Sequence, residues 1–279
     1  MPTNVSQYST TPMRSKNPYP LVDIGANLSH ESFSHDLDQV LDEARAVGIE
    51  QIFVTGTSVP ASSAAASLAG QYPGFLYCTA GIHPHDAAHE NPSAIADLEA
   101  LAGNSCVRAV GETGLDYFRD FSPRDRQREA FAAQMALAAK LDMPVFLHQR
   151  DGHADFLEIL SEYRNALPRG VVHCFTGTEA ELRDYLELDM HIGITGWICD
   201  ERRGHHLHDI VGLIPADKLM LETDSPYLMP RTIRPKPKTR RNEPANLVHV
   251  LAAVAECLGK SEKSLAEQTT RTARDFFAI

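Results

Sequence analysis

The sequence has few cysteines, and none of them is spaced as a metal-binding or redox pair. The five thiols belong to Cys78, Cys106, Cys174, Cys199 and Cys257, an odd number without a C-x-x-C motif. Several lie in apolar runs, where a reduced, buried thiol is the ordinary state. A chain of 279 residues can bury a large core without disulfide bonds. We therefore expect a protein of the reducing cytoplasm.

Long apolar runs are also missing. No stretch approaches the roughly 20 apolar residues that a membrane span requires, so no membrane partner is expected. Residues 1–19 are rich in Ser, Thr, Asn and Pro and lack the apolar core of a secretory signal. Because this segment has little to bury, we expect a disordered tail there, followed by one domain over residues 20–279.

The chain has no excess of positive charge. It carries 37 acidic and 26 basic residues, which gives a net charge of −11. Proteins that coat nucleic acid by charge alone are usually basic, because neutralising phosphates drives that binding. If the substrate is a polyanion, its attraction must come from a bound metal or from a confined basic segment.

Short apolar runs alternate with amphipathic stretches from residue 20 onward. This alternation predicts a parallel sheet, and eight units favour an α/β fold of the TIM type, a closed (β/α)₈ barrel. An open, doubly wound sheet with a crevice at a switch point is the alternative. The eight runs are Leu21–Asn27, Gln51–Thr57, Leu76–His83, Val107–Gly111, Pro144–His148, Gly170–Phe175, Met190–Gly196 and Leu219–Thr223.

Helices are predicted between the runs and at the C-terminus. Asp36–Val47 has apolar residues at helical spacing on one face. Ser122-Pro123 favours a helix start before Arg124–Leu141, with the proline at the first helical position. Met143-Pro144 returns the chain to extended backbone. Pro244–Leu258 and Ser261–Phe277 are predicted as outer helices.

Four polar residues stand where predicted strands end. Glu112, His148, His173 and Asp224 each follow or close an apolar run. Because the carboxyl ends of barrel strands face one side, these side chains should converge. Two imidazoles and two carboxylates are typical ligands of a divalent ion and can also position or deprotonate a water. Each residue alone could be a core or turn residue, whereas their joint placement predicts a metal site.

Further residues are candidates for substrate binding. His83 and His85 follow the third run, and we assign them to substrate contact rather than to the metal. Residues 231–241 hold six basic residues and no acid, and their prolines favour an extended segment that can follow phosphates. The alternative is a solvated loop paired with Glu243. The candidates for phosphate binding are Arg150, Arg234, Lys236, Lys238 and Arg240, with Arg119 a weaker one. The histidines at 205, 206 and 208 are interpreted as a solvated helix face.

Five ordered motifs resemble the TatD family of metal-dependent deoxyribonucleases. The resemblance extends from Leu21 to the C-terminus, and two further motifs, at residues 193–203 and 240–244, make it closest to a bacterial branch. The five motifs are GIHPH (81–85), GETGLD (111–116), PVFLH (144–148), HCFTG (173–177) and ETDSPY (222–227).

The resemblance implies a TIM barrel that removes nucleotides from the 3′ end of DNA, preferably single-stranded, and of RNA. It further implies Mg²⁺ as cofactor and a part in DNA repair or turnover, and the same kinds of ligand can also hold Mn²⁺ or Zn²⁺. Carried over to this sequence, Glu112, His148 and His173 are metal ligands, and Asp224 is a ligand or a base. Many relatives have Asp-x-His-x-His on the first strand, whereas this chain has Gly25 and Asn27 there. We therefore expect one firmly held ion and a second that depends on substrate phosphate.

Two other functions remain open at this point. A barrel amidohydrolase acting on a small C–N or ester substrate would use the same ligands, but it would not need the basic segment. A non-catalytic DNA-binding protein would tolerate loss of Glu112 or His173. Acyl-enzyme chemistry is disfavoured because the chain has no G-x-S-x-G elbow. We expect a monomeric phosphodiesterase in which Asp224 and Glu112 are the catalytic carboxylates.

Overall fold

The computed structural model describes residues 19–89 and 91–279. The tail predicted for residues 1–19 lies outside the described residues except for Tyr19, which packs against the core. Within the described ranges, no helix combines the length and the apolar character needed to cross a membrane.

Eight parallel strands form one sheet whose spatial order follows the sequence. Ala26 pairs with Ser225 across the remaining gap, so the sheet is a nearly closed barrel. The TIM-type prediction is confirmed, and the doubly wound alternative is wrong because the strand order contains no switch point. The strands are β1 Leu21–Ala26, β2 Ile49–Val54, β3 Leu76–Ala80, β4 Val107–Asp116, β5 Val145–Arg150, β6 Gly170–Val172, β7 His191–Ile194 and β8 Leu219–Leu221.

Helices surround the barrel. Helix Arg124–Leu141 has the predicted bounds, although Pro123 is its N-cap and not its first residue. The helix ends because Asp142 adopts a left-handed conformation, with φ of 51°. The α-helices are α1 Leu37–Ala46, α2 Val59–Gln71, α3 Ala94–Ala102, α4 Arg124–Leu141, α5 His153–Tyr163, α6 Glu179–Glu187, α7 His205–Ile210, α8 Leu247–Leu258 and α9 Glu262–Phe277.

Strand β4 is longer than the sequence predicted. The apolar run ends at Gly111, but the strand continues through Glu112 to Asp116, with a register shift between Gly111 and Thr113. Gly111 and Gly114 have φ of 142° and 144°, and a Cβ on either would collide with a backbone carbonyl of β5. The glycines thus allow β4 and β5 to approach closely where Glu112 enters the barrel.

Apolar side chains fill the lower part of the barrel, which is the part away from the carboxyl ends of the strands. Ile24, Phe53 and Phe146 lie in this inner cluster, and Phe276 and Phe277 from α9 join it. The rings of Phe53 and Phe277 are stacked with centroids 3.8 Å apart. A second, larger cluster lies between the strands and the helices. Because the inner cluster packs the lower part of the barrel, the space for polar chemistry lies at the carboxyl ends of the strands.

Candidate metal centre and substrate cavity

The predicted ligands line one cavity at the carboxyl ends of the strands. Its volume is about 900 Å³. Glu112 comes from β4 and His148 from β5, while His173 directly follows β6 and Asp224 lies three residues beyond β8. The structure also brings His83, His85, Arg119 and Arg150 to this cavity.

Glu112 is at the centre of the polar cluster. Its Oε1 lies 2.7 Å from His173 Nε2, 3.0 Å from His148 Nδ1 and 3.4 Å from His83 Nε2. Ligand atoms of His83, Glu112 and His148 all lie within 4.8 Å of one another. A buried carboxylate that faces several imidazole nitrogens has the donor chemistry of a divalent-cation site, so the residues present fit such an ion.

Hydrogen bonds distinguish the histidines from one another. Nδ1 of His83 accepts the backbone N–H of His85 at 3.1 Å, so a neutral His83 carries its proton on Nε2 and points it toward Glu112. Nδ1 of His173 instead lies 3.3 Å from Oε2 of Glu222, which fixes the proton on Nδ1 and frees Nε2 for a metal. The geometry therefore favours His173 as a ligand and His83 as a hydrogen-bond donor.

The buried charges of this cluster stabilise one another. Burial opposes ionisation of Glu112, but His173 and His83 outweigh it and hold the pKa of Glu112 well below its ordinary value. Burial likewise disfavours a charged His173, yet Glu112 and Glu222 raise its pKa well above the ordinary value. In the metal-free protein, protons on His173 and His148, whose pKa values are both raised, thus compensate the carboxylates, as a bound cation would do.

Asp224 lies at the same cavity but outside the group around Glu112 and His83. Its Oδ1 accepts a hydrogen bond of 3.1 Å from the Asn27 side-chain amide. Burial raises the pKa of Asp224 to about 7, and the negative charges of Glu112 and Glu222 act in the same direction while His173 opposes them. Asn27, which stands where many relatives have a histidine, therefore has a contact in this site: it donates a hydrogen bond to the predicted ligand Asp224.

Sequence reasoning missed the role of Glu222. This carboxylate is fully buried and contacts His173 Nδ1 and the backbone N–H of Cys174. A Cβ at Gly25 would lie 2.6 Å from Glu222 Oε2, and one at Gly193 would lie 2.5 Å from Oε1. The first-strand glycine therefore makes room for Glu222. The signal available in the sequence was the acidic Glu222 directly after the apolar run of β8, where side chains enter the same cavity as the other strand ends.

Asp116 was also missed as part of the site. Its Oδ2 lies 2.7 Å from His85 Nε2 and 3.5 Å from His148 Nε2. Burial works against ionisation, but hydrogen bonds with His148 and His85 lower the pKa of Asp116. A strand that continues past Glu112 puts residues 112, 114 and 116 on one side, so the even spacing was available once the strand's length was known.

The basic segment borders a second cavity. Arg234, Lys236, Lys238 and Arg240 line a space of about 970 Å³ that adjoins the first cavity through Trp197, Arg203 and Leu228. Arg241 is held away from it by ion pairs with Asp36 at 2.6 Å and Glu243 at 2.8 Å. The predicted pairing with Glu243 thus applies to Arg241 alone among these cations.

The histidines of α7 are separate from the metal-binding cluster. Nε2 of His206 lies 3.1 Å from the carbonyl oxygens of Thr176 and Gly177, and Nε2 of His208 lies 2.8 Å from that of Ile198. His205, His206 and His208 are all exposed, in agreement with a solvated helix face.

Comparison with known proteins gives one consistent result. The sequence model of TatD related DNases matches residues 22–278. The 3′-5′ ssDNA/RNA exonuclease TatD of Rahnella sp. (strain Y9602) is 50% identical over 259 residues, which are 93% of this chain and 98% of the relative. A solved TatD homologue from Escherichia coli K12 superposes with a TM-score of 0.85 at 27% identity, over 93% of this chain and 98% of that one.

A second solved structure, a TatD family hydrolase from Entamoeba histolytica, gives a TM-score of 0.84 at 26% identity, with the same coverage. Because the match extends through the whole barrel and not through one motif alone, this chain belongs to the TatD family of DNases.

Proposed function

We propose that this chain is a metal-dependent 3′–5′ exonuclease that hydrolyses phosphodiester bonds of DNA, preferably single-stranded, and of RNA. Relatives that are 46–50% identical over 259 residues are named 3′-5′ ssDNA/RNA exonucleases. The observation that carries the proposal is the Glu112-centred cluster under a cavity that also contains Arg119, Arg150 and Arg203. These relatives support the nuclease over the amidohydrolase alternative. A part in DNA repair or turnover is the cellular role we propose.

We propose Glu112, His148, His173 and Asp224 as the ligands of a divalent ion, with Mg²⁺ as its identity and Mn²⁺ or Zn²⁺ as substitutes. Mg²⁺ prefers oxygen ligands and retains water, whereas imidazoles also suit Zn²⁺. A divalent ion bound there would polarise a phosphoryl oxygen and lower the pKa of a water.

The chain's own residues orient the reactants. Asp224, held by Asn27 through Oδ1, has its second oxygen available to orient an attacking water and accept its proton. The Nε2 proton of His83 can be donated to a phosphate oxygen. His85, which Asp116 orients, and the guanidinium of Arg150 line the same cavity and can bind the neighbouring phosphate. Hydrolysis then adds water across one P–O bond.

We place this activity in the cytoplasm and in a monomer of one barrel domain spanning residues 20–279. The free thiols of all five cysteines support a reducing compartment. The single eight-stranded sheet supports one domain.

An end-label assay tests the proposal. Purified protein is incubated with single- or double-stranded DNA labelled at the 5′ end, with Mg²⁺, Mn²⁺ or Zn²⁺, or with chelator. We expect a ladder of shortened 5′-labelled products only with metal and mainly from single strands. Glu112→Gln should abolish it, whereas Glu129→Gln, at an exposed residue of α4, should not. Shortening in chelator, or none with any of the three metals, would rule the proposal out.

A further inference from the structure

Exposed aromatic side chains gather at the mouth of the metal-site cavity. Within residues 19–89 and 91–279, the large apolar side chains that remain exposed are Phe118 (54%), Phe121 (64%), Tyr227 (52%) and Leu213 (37%). Phe118 and Tyr227 line the cavity itself. Phe121 contacts His85, a cavity residue, with ring centroids 4.7 Å apart. Exposed aromatic surface contributes little to folding, so its concentration here indicates contact with a ligand.

The aromatic residues lie on opposite sides of the cavity. Phe118 and Phe121 follow β4, whereas Tyr227 follows β8. The strands are ordered β1 to β8 around the barrel, so β4 and β8 are four strands apart and face each other across the mouth. The cluster around Glu112 therefore has one aromatic surface on each side.

Cations accompany the aromatic surface on the β4 side. The guanidinium carbon of Arg150 lies 3.9 Å from the ring centroid of Phe118, and that of Arg119 lies 5.8 Å from it. On the β8 side, His30 contacts Tyr227 edge-on, with centroids 6.0 Å apart. Aromatic rings beside guanidinium groups can bind a single nucleic-acid strand, because bases stack on the rings and phosphates pair with the cations.

We propose that Phe118 and Tyr227 are base-stacking platforms on either side of the scissile phosphate, and that they give the site its preference for single strands. This inference rests on the proposed nuclease function. In a duplex, the two bases that flank a phosphate stack on each other and pair with the opposite strand, so they cannot turn apart onto two separate rings, whereas those of a single strand can. Stacking on both sides would hold the phosphate between them over the Glu112 cluster.

The first test compares cleavage of two single-stranded oligonucleotides that differ only in whether their last three 3′ nucleotides carry bases. Stacking is worth a factor of about 5 to 150 per base. We expect Phe118→Ala and Tyr227→Ala each to lower kcat/KM by such a factor on the substrate that carries its bases. The kcat/KM on the abasic substrate should not change. Leu213→Ala, at an exposed apolar residue away from the cavity, should affect neither. Phe118→Tyr, which retains an aromatic ring, should keep the kcat/KM of the unmodified protein.

The second test does not require cleavage. An oligonucleotide with 2-aminopurine as its last base is added to the protein in chelator, and stacking should quench its fluorescence. We expect Phe118→Ala and Tyr227→Ala to weaken the quenching while Leu213→Ala retains it. Equal quenching and equal cleavage by all variants, or an equal loss on abasic substrate, would overturn the stacking inference. An unmodified protein that quenches but never cleaves would instead count against the nuclease proposal alone.

Discussion

At the residue scale, Glu222 shows how one buried carboxylate prepares a histidine for metal binding. Glu222 accepts a hydrogen bond from Nδ1 of His173, which leaves Nε2 of the same ring directed at Glu112. The acidic residue was visible in the ETDSPY motif, but its contact with His173 spans 49 positions of sequence. The convergence of Glu112, His148 and His173 could be predicted because strand ends share one face. Tautomers could not be predicted, because they depend on partners from distant strands.

Replacing Glu222 with Gln should weaken metal binding. A Gln amide would retain an acceptor for the Cys174 N–H, but its NH₂ group would force the His173 proton onto Nε2, where the ion binds. Loss of such a partner typically reduces metal affinity about 10- to 100-fold. Calorimetric titration with Mn²⁺ measures this, with exposed Glu187→Gln as the control. Unchanged affinity would mean that Glu222 does not orient His173.

Asp23 predicts a pH dependence of folding. Burial raises its pKa to about 8, while the Thr223 hydroxyl lies 2.5 Å from its Oδ2 and the Thr223 N–H donates to Oδ1. Because the folded-state pKa exceeds the unfolded value, the folded state binds the extra proton. Between the unfolded-state pKa of 3.8 and the folded-state pKa of about 8, the free energy of unfolding should therefore fall as the pH rises, by at most about 1.4 kcal/mol per pH unit.

Asp23→Asn removes this titration, since an amide can accept the same N–H and donate to the hydroxyl. Urea unfolding of both proteins should show the variant gaining stability relative to the parent between about pH 5 and pH 8. A difference that does not change with pH would contradict a raised pKa. Comparing the two proteins cancels the titration of all other groups.

At the element scale, α4 supports the loops that carry the site. Gln134 accepts from the Ile82 N–H at 2.8 Å and donates to the Ile82 carbonyl at 3.0 Å, directly before His83. Gln127 likewise binds the backbone N–H of Asp116 at 2.9 Å. The bounds of this helix were predictable from local signals. Its two fully buried amides were not, because their partners lie on other elements.

Gln134→Met should destabilise the fold and disturb His83. Methionine fills similar space but leaves both Ile82 backbone groups without their partner, at about 1–3 kcal/mol for each. Chemical denaturation measures the loss. Gln39→Met, at an exposed residue of α1, should stay within about 0.5 kcal/mol of the parent. Equal stability of the two variants would show that these buried hydrogen bonds do not support the loop.

At the scale of the whole molecule, an acidic protein concentrates cations beside its candidate metal centre. The alternation of apolar runs predicted the parallel strands, but barrel closure could not be derived from it, because an open doubly wound sheet has the same alternation. The basic segment was visible in the sequence. Its separate cavity was not, since that cavity also depends on Arg202 and Arg203 from the segment after β7.

Oligonucleotide binding should therefore depend on salt through this segment. Log affinity falls as log salt concentration rises, and each phosphate contact with a single strand contributes about 0.7 to the steepness of that fall. Replacing Arg234, Lys236, Lys238 and Arg240 with Gln should therefore make the slope shallower by up to about 3. Fluorescence anisotropy in chelator measures the slope. A control variant in which four other exposed cations are replaced should retain it, and the control residues are Arg126, Arg183, Lys260 and Lys263. Equal slopes for the unmodified protein and the variant of the basic segment would show that this segment does not contact the oligonucleotide.

The most direct test of the account is anomalous diffraction from crystals soaked in Mn²⁺. The account predicts a peak at the mouth of the barrel, about 2.0–2.3 Å from a Glu112 oxygen and from His173 Nε2. It would be contradicted by a cavity without a peak at saturating Mn²⁺, or by a peak confined to the histidines of α7.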